Sequence, residues 1–159
     1  VLLFDFGAQV AGYRSDMTRT LFVGEPSARD LAIYELVARA QAAAIRALEV
    51  AVAADGGRPM PSGRAVDAVA REVITAAGHG EHFGHGTGHG IGLATHEAPS
   101  LGTTAPETPL PSPTVFSVEP GVYLAGEMGV RIEDLVHVDA AAGVVERLTH
   151  FPRDVLVVG

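Results

Sequence analysis

The pattern of apolar and polar residues at the start of the chain predicts a β-hairpin. Val1 to Phe6 is an almost continuous apolar run ending near Asp5, which predicts a buried strand. Gly7 to Gly12 is predicted to be a turn region, and Tyr13 to Val23 the second strand of the hairpin. The chain therefore begins at Val1 inside an apolar strand, and we expect that upstream sequence is missing.

Two helices are predicted next. Glu25-Pro26-Ser27 ends the strand, and Ser27 with Asp30 three residues later resembles a capping box at a helix start. The alanine-rich stretch from there to about Ala54 carries apolar residues on one face, which we interpret as core: Leu31, Tyr34, Val37 or Ala38, Ile45 and Leu48. Gly56-Gly57-Arg58-Pro59 is predicted to end this helix. Ser62 then opens a second helix that lasts until Gly78, with an apolar stripe of Val66, Val69, Val73 and Ile74.

The remainder of the chain predicts strands. Five prolines make Ala98 to Pro113 a predicted surface loop. Thr114 to Leu124 and Val130 to Val138 then predict a second hairpin around a turn at Gly126 to Gly129. Two short strands are predicted at the end of the chain, over Val144 to Leu148 and Val155 to Val158.

Composition narrows the class of protein. The chain has 159 residues, of which 47% are apolar, and this suits one domain with a single core. Its net charge of -8 argues against electrostatic binding to nucleic acid or to an anionic membrane, because both need clustered lysine and arginine. The chain contains no cysteine, so a bound metal would need nitrogen and oxygen ligands. A small or peptidic partner is favoured.

The segment from Gly84 to Glu97 holds three of the seven histidines and five glycines. Glycine loses the most entropy on ordering, so this density favours unusual backbone angles or a close approach of backbone to a ligand. One alternative is a zinc site on a helix, because His85 and His89 have i, i+4 spacing. The glycines between and after the two histidines oppose a helix. Such a zinc site would also need a glutamate directly after the first histidine, and no glutamate follows His85. A flexible loop with incidental histidines is the other alternative.

Four carboxylates lie within the predicted apolar strands. Asp5 and Asp16 belong to the first hairpin, and Glu119 and Glu133 to the second. One such residue is explained by an exposed strand face, but acidic side chains are almost never fully buried unless they are paired or bind metal. If all four converge with His89, two divalent cations would balance their charge. Oxygen-rich ligation with one imidazole suits manganese, and also cobalt, iron or zinc, better than copper.

Four blocks of the sequence resemble, in order, the motifs of the pita-bread metallopeptidases. The blocks are Asp5-Phe6-Gly7 with Tyr13-Arg14-Ser15-Asp16-Met17-Thr18-Arg19-Thr20, His85-Gly86-Thr87-Gly88-His89-Gly90-Ile91-Gly92-Leu93 with His96-Glu97, Val118-Glu119-Pro120-Gly121-Val122-Tyr123, and Arg131-Ile132-Glu133-Asp134. They are most similar to the Xaa-Pro dipeptidase (prolidase) and aminopeptidase P branch. Their joint order and the spacing of eleven between the first two aspartates make the resemblance specific.

The resemblance implies a fold. We expect an α+β pita-bread (creatinase/aminopeptidase) fold, with a curved antiparallel sheet and helices on its outer face. The family's catalytic domain has further helices and strands, and another active-site histidine, ahead of the Asp5 strand. Residues 1–159 are therefore expected to be the C-terminal portion of that catalytic domain, with the N-terminal part missing, and the activity of this shorter chain is left open.

The resemblance also implies the site residues. The implied metal ligands are Asp5, Asp16, His89, Glu119 and Glu133. Asp16 and Glu133 would bridge two ions, Asp5 would complete one ion, and His89 with Glu119 the other. The implied catalytic residues are His96, which stabilises the tetrahedral intermediate, Glu119, which carries the proton from water to the leaving amine, and His85. His85 also lines the substrate pocket, and Arg131 helps to position substrate.

The implied activity is hydrolysis of the peptide bond preceding proline by two divalent ions, manganese foremost. The implied partner is a proline-containing peptide, with neither nucleic acid nor membrane, and the full-length protein is expected to be a cytoplasmic homodimer. A methionine aminopeptidase-type exopeptidase is a disfavoured alternative, because the blocks around His85 and Glu133 look more like the proline-specific branch. A creatinase-like amidinohydrolase and a non-catalytic pita-bread binding module are disfavoured because all five ligand positions are intact.

Overall fold

The computed structural model describes residues 1–54 and 59–159, and its first hairpin is more exposed than predicted. Strand β1 (Leu2–Phe6) pairs antiparallel with β4 (Met17–Val23), and β2 (Gln9–Val10) with β3 (Tyr13–Arg14) forms a small hairpin between them. The prediction that Val1 to Phe6 is buried is wrong, since Leu2 and Phe4 are 45% and 48% exposed. In the described chain, β1 is an edge strand with β4 as its single strand neighbour.

Both helices begin where their caps predicted. Helix α1 (Ala28–Ala53) begins after Ser27, whose hydroxyl accepts a hydrogen bond from the N–H of Asp30, while the Asp30 carboxylate accepts one from the N–H of Ser27. This reciprocal pair is the predicted capping box. Helix α2 (Gly63–Ala76) begins after Ser62, whose hydroxyl accepts from the N–H of Ala65. The predicted stop at Gly56-Gly57-Arg58-Pro59 lies, except for Pro59, outside the described residues.

The buried face of α1 is broader than the predicted stripe. Its members are Ile33, Tyr34, Leu36, Val37, Ala40, Gln41, Ala44 and Leu48, whereas the predicted Leu31 and Ile45 are half-buried. The face is broad because α1 packs against α2 and also against the strands of the second half of the chain. Within residues 1–54 and 59–159, no helix has the length and apolar character needed to cross a membrane.

The second half of the chain contains the strands β5 (Gly88–Gly90), β6 (Glu97–Leu101), β7 (Thr114–Val118), β8 (Gly121–Leu124), β9 (Met128–Arg131), β10 (Asp134–Asp139), β11 (Val144–Arg147) and β12 (Leu156–Val158). Five of them form an antiparallel sheet in the order β11-β10-β7-β5-β6. Strands β8 and β9 form a separate antiparallel ribbon, and β12 pairs parallel with β4. The prediction that Ala98 to Pro113 is a surface loop is wrong for its first residues, which belong to β6. This strand pairs with β5, and its Leu101 is completely buried.

Three of the four carboxylates lie at interruptions of strands rather than inside them. Asp16 lies between β3 and β4, Glu119 between β7 and β8, and Glu133 between β9 and β10. The predicted continuous strands Tyr13 to Val23, Thr114 to Leu124 and Val130 to Val138 are therefore each divided in two. Pro120 contributes to one interruption because proline cannot donate a ladder hydrogen bond.

A buried ion pair joins the two main sheets. Arg19 in β4 lies with its Nη2 atom 2.7 Å from Oδ1 of Asp134 in β10, and the two side chains are 3% and 0% exposed. Arg19 also donates to backbone carbonyl oxygens of four residues, namely Thr18, Glu133, Phe151 and Pro152. The pair is thus fully desolvated and fully hydrogen-bonded, the condition under which a buried charge is tolerated.

Replacement of Asp134 by alanine is expected to destabilise the fold strongly, because it leaves the buried Arg19 guanidinium without its counter-ion. The free energy of unfolding should fall by about 3–5 kcal/mol, measured by urea denaturation. Glu107→Ala is the matched control, since Glu107 pairs with Arg64 on the surface, where both side chains are more than half exposed. Equal losses in the two variants would contradict a special role for the buried pair.

Candidate metal centre

The glycine-histidine segment enters the five-stranded sheet through β5, where its glycines allow neighbouring backbones to approach closely. A Cβ atom on Gly88 would lie 1.9 Å from the carbonyl oxygen of Ser117, and one on Gly90 would lie 2.1 Å from that of Ala98. The close approach that the structure shows is to neighbouring backbone, whereas the sequence predicted an approach to a ligand. The helical zinc site is wrong, because His89 lies in a strand and His85 lies outside both helices.

A buried acid on α2 holds this segment in place. Asp67 is 1% exposed, and its Oδ1 atom accepts hydrogen bonds from the backbone N–H and the hydroxyl of Thr87 at 3.0 and 2.8 Å. Arg71 forms a two-point ion pair with Asp67 and donates to the carbonyl oxygens of Phe83 and His85. These contacts oppose the alternative of a flexible loop. Sequence reasoning missed Asp67, whose one available signal was an acid four residues before an arginine on a predicted helix.

The five predicted ligand residues meet at one cleft. Ligand atoms of Asp16, His89 and Glu133 all lie within 4.8 Å of one another. The Nε2 atom of His89 is 3.2 Å from Oε1 of Glu119 and 3.9 Å from Oδ2 of Asp16. The cleft has a volume of about 430 Å³, and Asp5 and Glu119 line it together with the other three. The strand interruptions thus direct carboxylates from both main sheets toward a single imidazole.

Ser117 orients two of these side chains at once. Its hydroxyl accepts a hydrogen bond from the backbone N–H of His89 at 3.0 Å and donates to Oε1 of Glu119 at 2.9 Å. The backbone N–H of Glu119 donates to the carbonyl oxygen of Thr87 at 2.7 Å. Strands β5 and β7 are therefore connected through polar contacts beside the cleft, which sets the relation of His89 to Glu119.

Glu133 is a buried carboxylate of which one oxygen is hydrogen-bonded and the other is not. Its Oε2 atom accepts a hydrogen bond from the Thr18 hydroxyl at 2.6 Å, while Oε1 is the one buried side-chain polar atom without a hydrogen-bond partner among the described residues. Burial and then repulsion from Glu119, Asp16 and Asp5 raise its pKa to about 8. Burial and the nearby Asp5 charge likewise raise the pKa of Asp16.

His89 supplies positive charge to this cluster. Burial opposes the charged form of its ring, but hydrogen bonds to the Glu119 carboxylate and the Gly90 carbonyl raise the pKa of His89 to about 9. In return, burial of Glu119 is outweighed by hydrogen bonds from His89 and Ser117, which lower the pKa of its carboxyl group. Metal binding through Nε2 would displace the proton from His89. The orphaned Glu133 oxygen and the excess of carboxylates both fit divalent cations.

Arg131 contacts the ligand residues from the side. It donates from Nη2 to Oδ2 of Asp5 at 2.6 Å, from Nη1 to the hydroxyl of Tyr123 at 3.0 Å and from Nε to the Thr18 hydroxyl at 3.1 Å. Its Nε atom is also 3.7 Å from Oε2 of Glu119. Arg131 therefore supplies a fixed positive charge to the carboxylates, and its role in positioning substrate stays a prediction.

The other two histidines predicted to be catalytic, His96 and His85, occupy different places. His96 is exposed and lines the cleft, with its ring centroid 4.2 Å from that of His89. His85 is half-buried, and its Nδ1 atom lies 2.7 Å from the carbonyl oxygen of Gly86 and its Nε2 atom 2.7 Å from the Tyr123 hydroxyl. Because a carbonyl can only accept, Nδ1 carries a proton, and in the neutral ring Nε2 accepts from tyrosine. Sequence reasoning assigned no role to Tyr123, which connects His85 to Arg131.

Comparison with known proteins identifies the family of this chain. The model of metallopeptidase family M24 matches residues 1–140. The chain belongs to metallopeptidase family M24. Within M24 it falls in the Xaa-Pro dipeptidase and aminopeptidase P branch, and its fold is the α+β pita-bread fold of the family. M24 enzymes use divalent metals, in keeping with the ligand atoms that converge in the cleft.

Individual M24 proteins show the extent of the similarity. The chain is 43% identical over 134 residues to an Xaa-Pro dipeptidase of Lactobacillus delbrueckii subsp. lactis, covering 84% of the chain and 34% of that protein. It is 39% identical over 163 residues to an Xaa-Pro dipeptidase of Lactobacillus helveticus, covering 99% of the chain and 40% of that protein.

Among solved structures, the X-Pro aminopeptidase of Thermotoga maritima matches with a TM-score of 0.87 and 40% identity. The match covers 98% of this chain and 41% of that protein. This chain therefore spans between 34% and 41% of the length of the three M24 relatives.

Gly88→Ala is expected to displace β5 and thereby His89, because the new Cβ would overlap the Ser117 carbonyl. Overpacking of this kind costs about 1–3 kcal/mol of stability, and the amount of bound divalent metal should decrease with it. Thermal unfolding and elemental analysis of the desalted protein measure the two effects. Gly84→Ala is the control, because a Cβ there meets no heavy atom within 4 Å. Unchanged metal content in Gly88→Ala would refute the requirement for this close approach.

Proposed function

We propose that this M24 chain carries a dinuclear metal site that hydrolyses the peptide bond preceding proline, as an Xaa-Pro dipeptidase or Xaa-Pro aminopeptidase. The observation that carries the proposal is the convergence of ligand atoms from Asp16, His89 and Glu133 within 4.8 Å, in a cleft that Asp5 and Glu119 also line. The names of the similar dipeptidases and aminopeptidase support the proline specificity. The chain spans less than half of those relatives, so the activity of the whole protein is part of the proposal.

The proposed ligand assignment is the one that the family resemblance implies. Asp16 and Glu133 would each hold both ions, Asp5 would help to hold one, and His89 and Glu119 would help to hold the other. Glu133 suits a shared role because its Oε1 atom is buried without a hydrogen-bond partner and its carboxylate lies close to that of Asp16. When bound, two divalent cations lower the pKa of a water molecule and polarise the scissile carbonyl group. The carboxylate-rich donor set suits manganese, with cobalt, zinc and iron as alternatives.

Glu119 is the proposed proton carrier. Its Oε1 atom is occupied by Ser117 and His89, whereas Oε2 makes no hydrogen bond within the described chain. When His89 binds metal through Nε2, the Ser117 hydroxyl still donates to Oε1, and the ionised carboxylate can accept a proton through Oε2. Oε2 would take the proton from the attacking water and deliver it to the leaving amine of proline.

The histidines complete the proposed chemistry. His96 is exposed at the cleft and is not among the assigned metal ligands, so its ring N–H is available to the oxyanion that develops on the scissile carbonyl. His85 is fixed by the Tyr123 hydroxyl and is assigned to the substrate pocket, where Arg131 helps to position the peptide. The family resemblance adds a homodimeric, cytoplasmic whole protein to the proposal.

The chain is expected to bind about two manganese ions after equilibration and desalting, because four carboxylates require that much opposing charge. Asp16→Ala and Glu133→Ala should each lower the metal content, measured by elemental analysis, since each removes a bridging ligand. Glu107→Ala removes an exposed acid outside the cleft and should retain the parental content. A parental chain without bound metal would contradict the assignment.

The manganese-loaded chain is expected to hydrolyse Xaa-Pro peptides and to leave Met-Ala peptides intact. Release of proline from Ala-Pro and of alanine from Met-Ala, followed by chromatography, measures the difference. Cleavage of Met-Ala at the greater rate would favour the methionine aminopeptidase alternative. Metal-loaded protein that cleaves neither peptide would favour a binding module, or a requirement for more of the protein than these 159 residues.

His96→Ala is expected to lower kcat by about 10²–10³-fold and to leave the metal content unchanged, because its ring contacts the oxyanion and no metal ion. Steady-state hydrolysis of Ala-Pro and elemental analysis measure the two quantities. His150→Ala replaces an exposed histidine remote from the cleft residues and should match the parent in both. Loss of metal from the His96 variant would show that His96 has a different role.

A further inference from the structure

Two backbone carbonyl groups beside the metal cleft accept hydrogen bonds from one side chain of helix α1. They belong to Val118 and Ile132, the residues immediately before Glu119 and Glu133, and they lie where β7 ends and where β9 gives way to β10. Val118 is the last residue of β7 and is paired with Asp134 of β10, whereas Ile132 lies between two strands. A buried carbonyl needs a hydrogen-bond partner. Gln41 donates a hydrogen bond to both carbonyls, since its Nε2 atom lies 3.1 Å from the Val118 oxygen and 3.2 Å from the Ile132 oxygen.

We infer that Gln41 is a positioning residue that holds the Glu119 and Glu133 peptide groups at the separation needed to bind two metal ions. The inference rests on the proposed function, because it assigns both glutamates as ligands. Carboxylates in such a site must be held within about 0.5 Å of the productive geometry. A bridge from one amide nitrogen to the two preceding carbonyls restrains the distance between the ligands directly.

The orientation of the Gln41 amide is fixed by its other contacts. Its Nε2 atom also lies 3.1 Å from Oδ2 of Asp134, so its two N–H groups are shared among three acceptors. Its Oε1 atom accepts a hydrogen bond from Nη1 of Arg153 at 3.1 Å. An arginine can only donate and a carbonyl can only accept, so the oxygen and nitrogen of the amide cannot be exchanged. Arg19 holds the other side of Asp134, which makes the whole arrangement rigid.

Apart from the contacts to Gln41, the backbone of Glu133 makes more hydrogen bonds than the backbone of Glu119. The carbonyl oxygen of Glu133 accepts from Arg19 at 2.7 Å, and its N–H donates to the Thr18 carbonyl at 3.1 Å. Glu119 has the backbone contact to Thr87 on the β5 side. Among the described contacts, Gln41 is the side chain that bonds to both ligand-bearing segments. Its loss should therefore change the distance between the glutamates more than the position of Glu133.

A polar side chain at this position is not required by the helix itself. Gln41 is fully buried on the same face of α1 as Val37, Ala44 and Leu48, which are all apolar and fully buried. An apolar residue would suit that face, apart from removing the hydrogen bonds to the two carbonyls, to Asp134 and from Arg153. The amide is thus explained by the polar groups that it joins, which include the carbonyls beside the metal ligands.

The test compares metal binding by the parent chain, Gln41→Met and Gln41→Glu. Methionine has a similar volume and no donor, and glutamate keeps the acceptor that faces Arg153 but also loses the donor. Titration with Co²⁺ by calorimetry should show a second ion bound about 10–100-fold more weakly in both variants, with the first ion less affected. The visible absorption spectrum of bound Co²⁺ should change as well, because it reports ligand geometry.

Leu48→Ala is the matched control. Leu48 is fully buried on the same helix, so its truncation lowers the melting temperature through lost packing and removes no hydrogen bond. All variants are compared below their melting temperatures, established by circular dichroism, and Gln41→Glu provides the result if Gln41→Met does not fold. Equal weakening of Co²⁺ binding by Leu48→Ala would overturn the inference, because general loss of stability would then explain the effect.

The outcomes separate this inference from the proposed function. Parental Co²⁺ affinity and spectrum in a folded Gln41 variant would overturn the positioning role and leave the dinuclear site standing. A parent chain that binds no Co²⁺ would overturn both. Two ions in the parent, with selective weakening of the second in the Gln41 variants and unchanged binding in Leu48→Ala, is the expected result.

Discussion

Repulsion among four carboxylates gathered in one cleft is the constraint on which the rest of the structure depends. Two like charges 4 Å apart repel by about 4 kcal/mol at the effective dielectric of a protein site, so the cluster needs positive charge. Within the chain that charge comes from Arg131, which is paired with Asp5, and from His89, whose pKa is raised to about 9. Glu133 remains undercompensated, with a pKa of about 8 and an unpartnered oxygen. Divalent cations would replace the proton on His89 and any proton on Glu133.

The fold meets this constraint by ending strands at the ligands. Asp16, Glu119 and Glu133 each lie where one strand stops and another begins, and all three line the cleft, with Glu133 joined to β4 by an isolated bridge to Thr18. Side chains from elsewhere in the chain also bond to backbone groups there. Gln41 from α1 and Arg19 from β4 bond to carbonyls at these interruptions. Asp67 from α2 plays the same part for the segment that carries His85 and His89.

Much of the site could be predicted from the sequence, because the relevant signals are local. Ser27 and Ser62 marked the helix starts through capping chemistry, and the motif blocks identified the family together with the residues that line the cleft. Long-range partners could not be predicted. Gln41 looked like one polar residue in an alanine-rich helix, and the i, i+4 pair of Asp67 and Arg71 is usually solvated surface. The exposure of β1 and the strand within Ala98 to Pro113 were missed because periodicity does not show which elements pack together.

The most direct test of the account is a crystal structure of the chain soaked in manganese, with data collected at the manganese absorption edge. The account predicts two anomalous peaks in the cleft, about 3.5–4 Å apart, with Asp16 and Glu133 touching both. Asp5 should touch one ion, and His89 with Glu119 the other. A single peak, peaks outside the cleft, or two ions without Asp16 and Glu133 between them would contradict the dinuclear site.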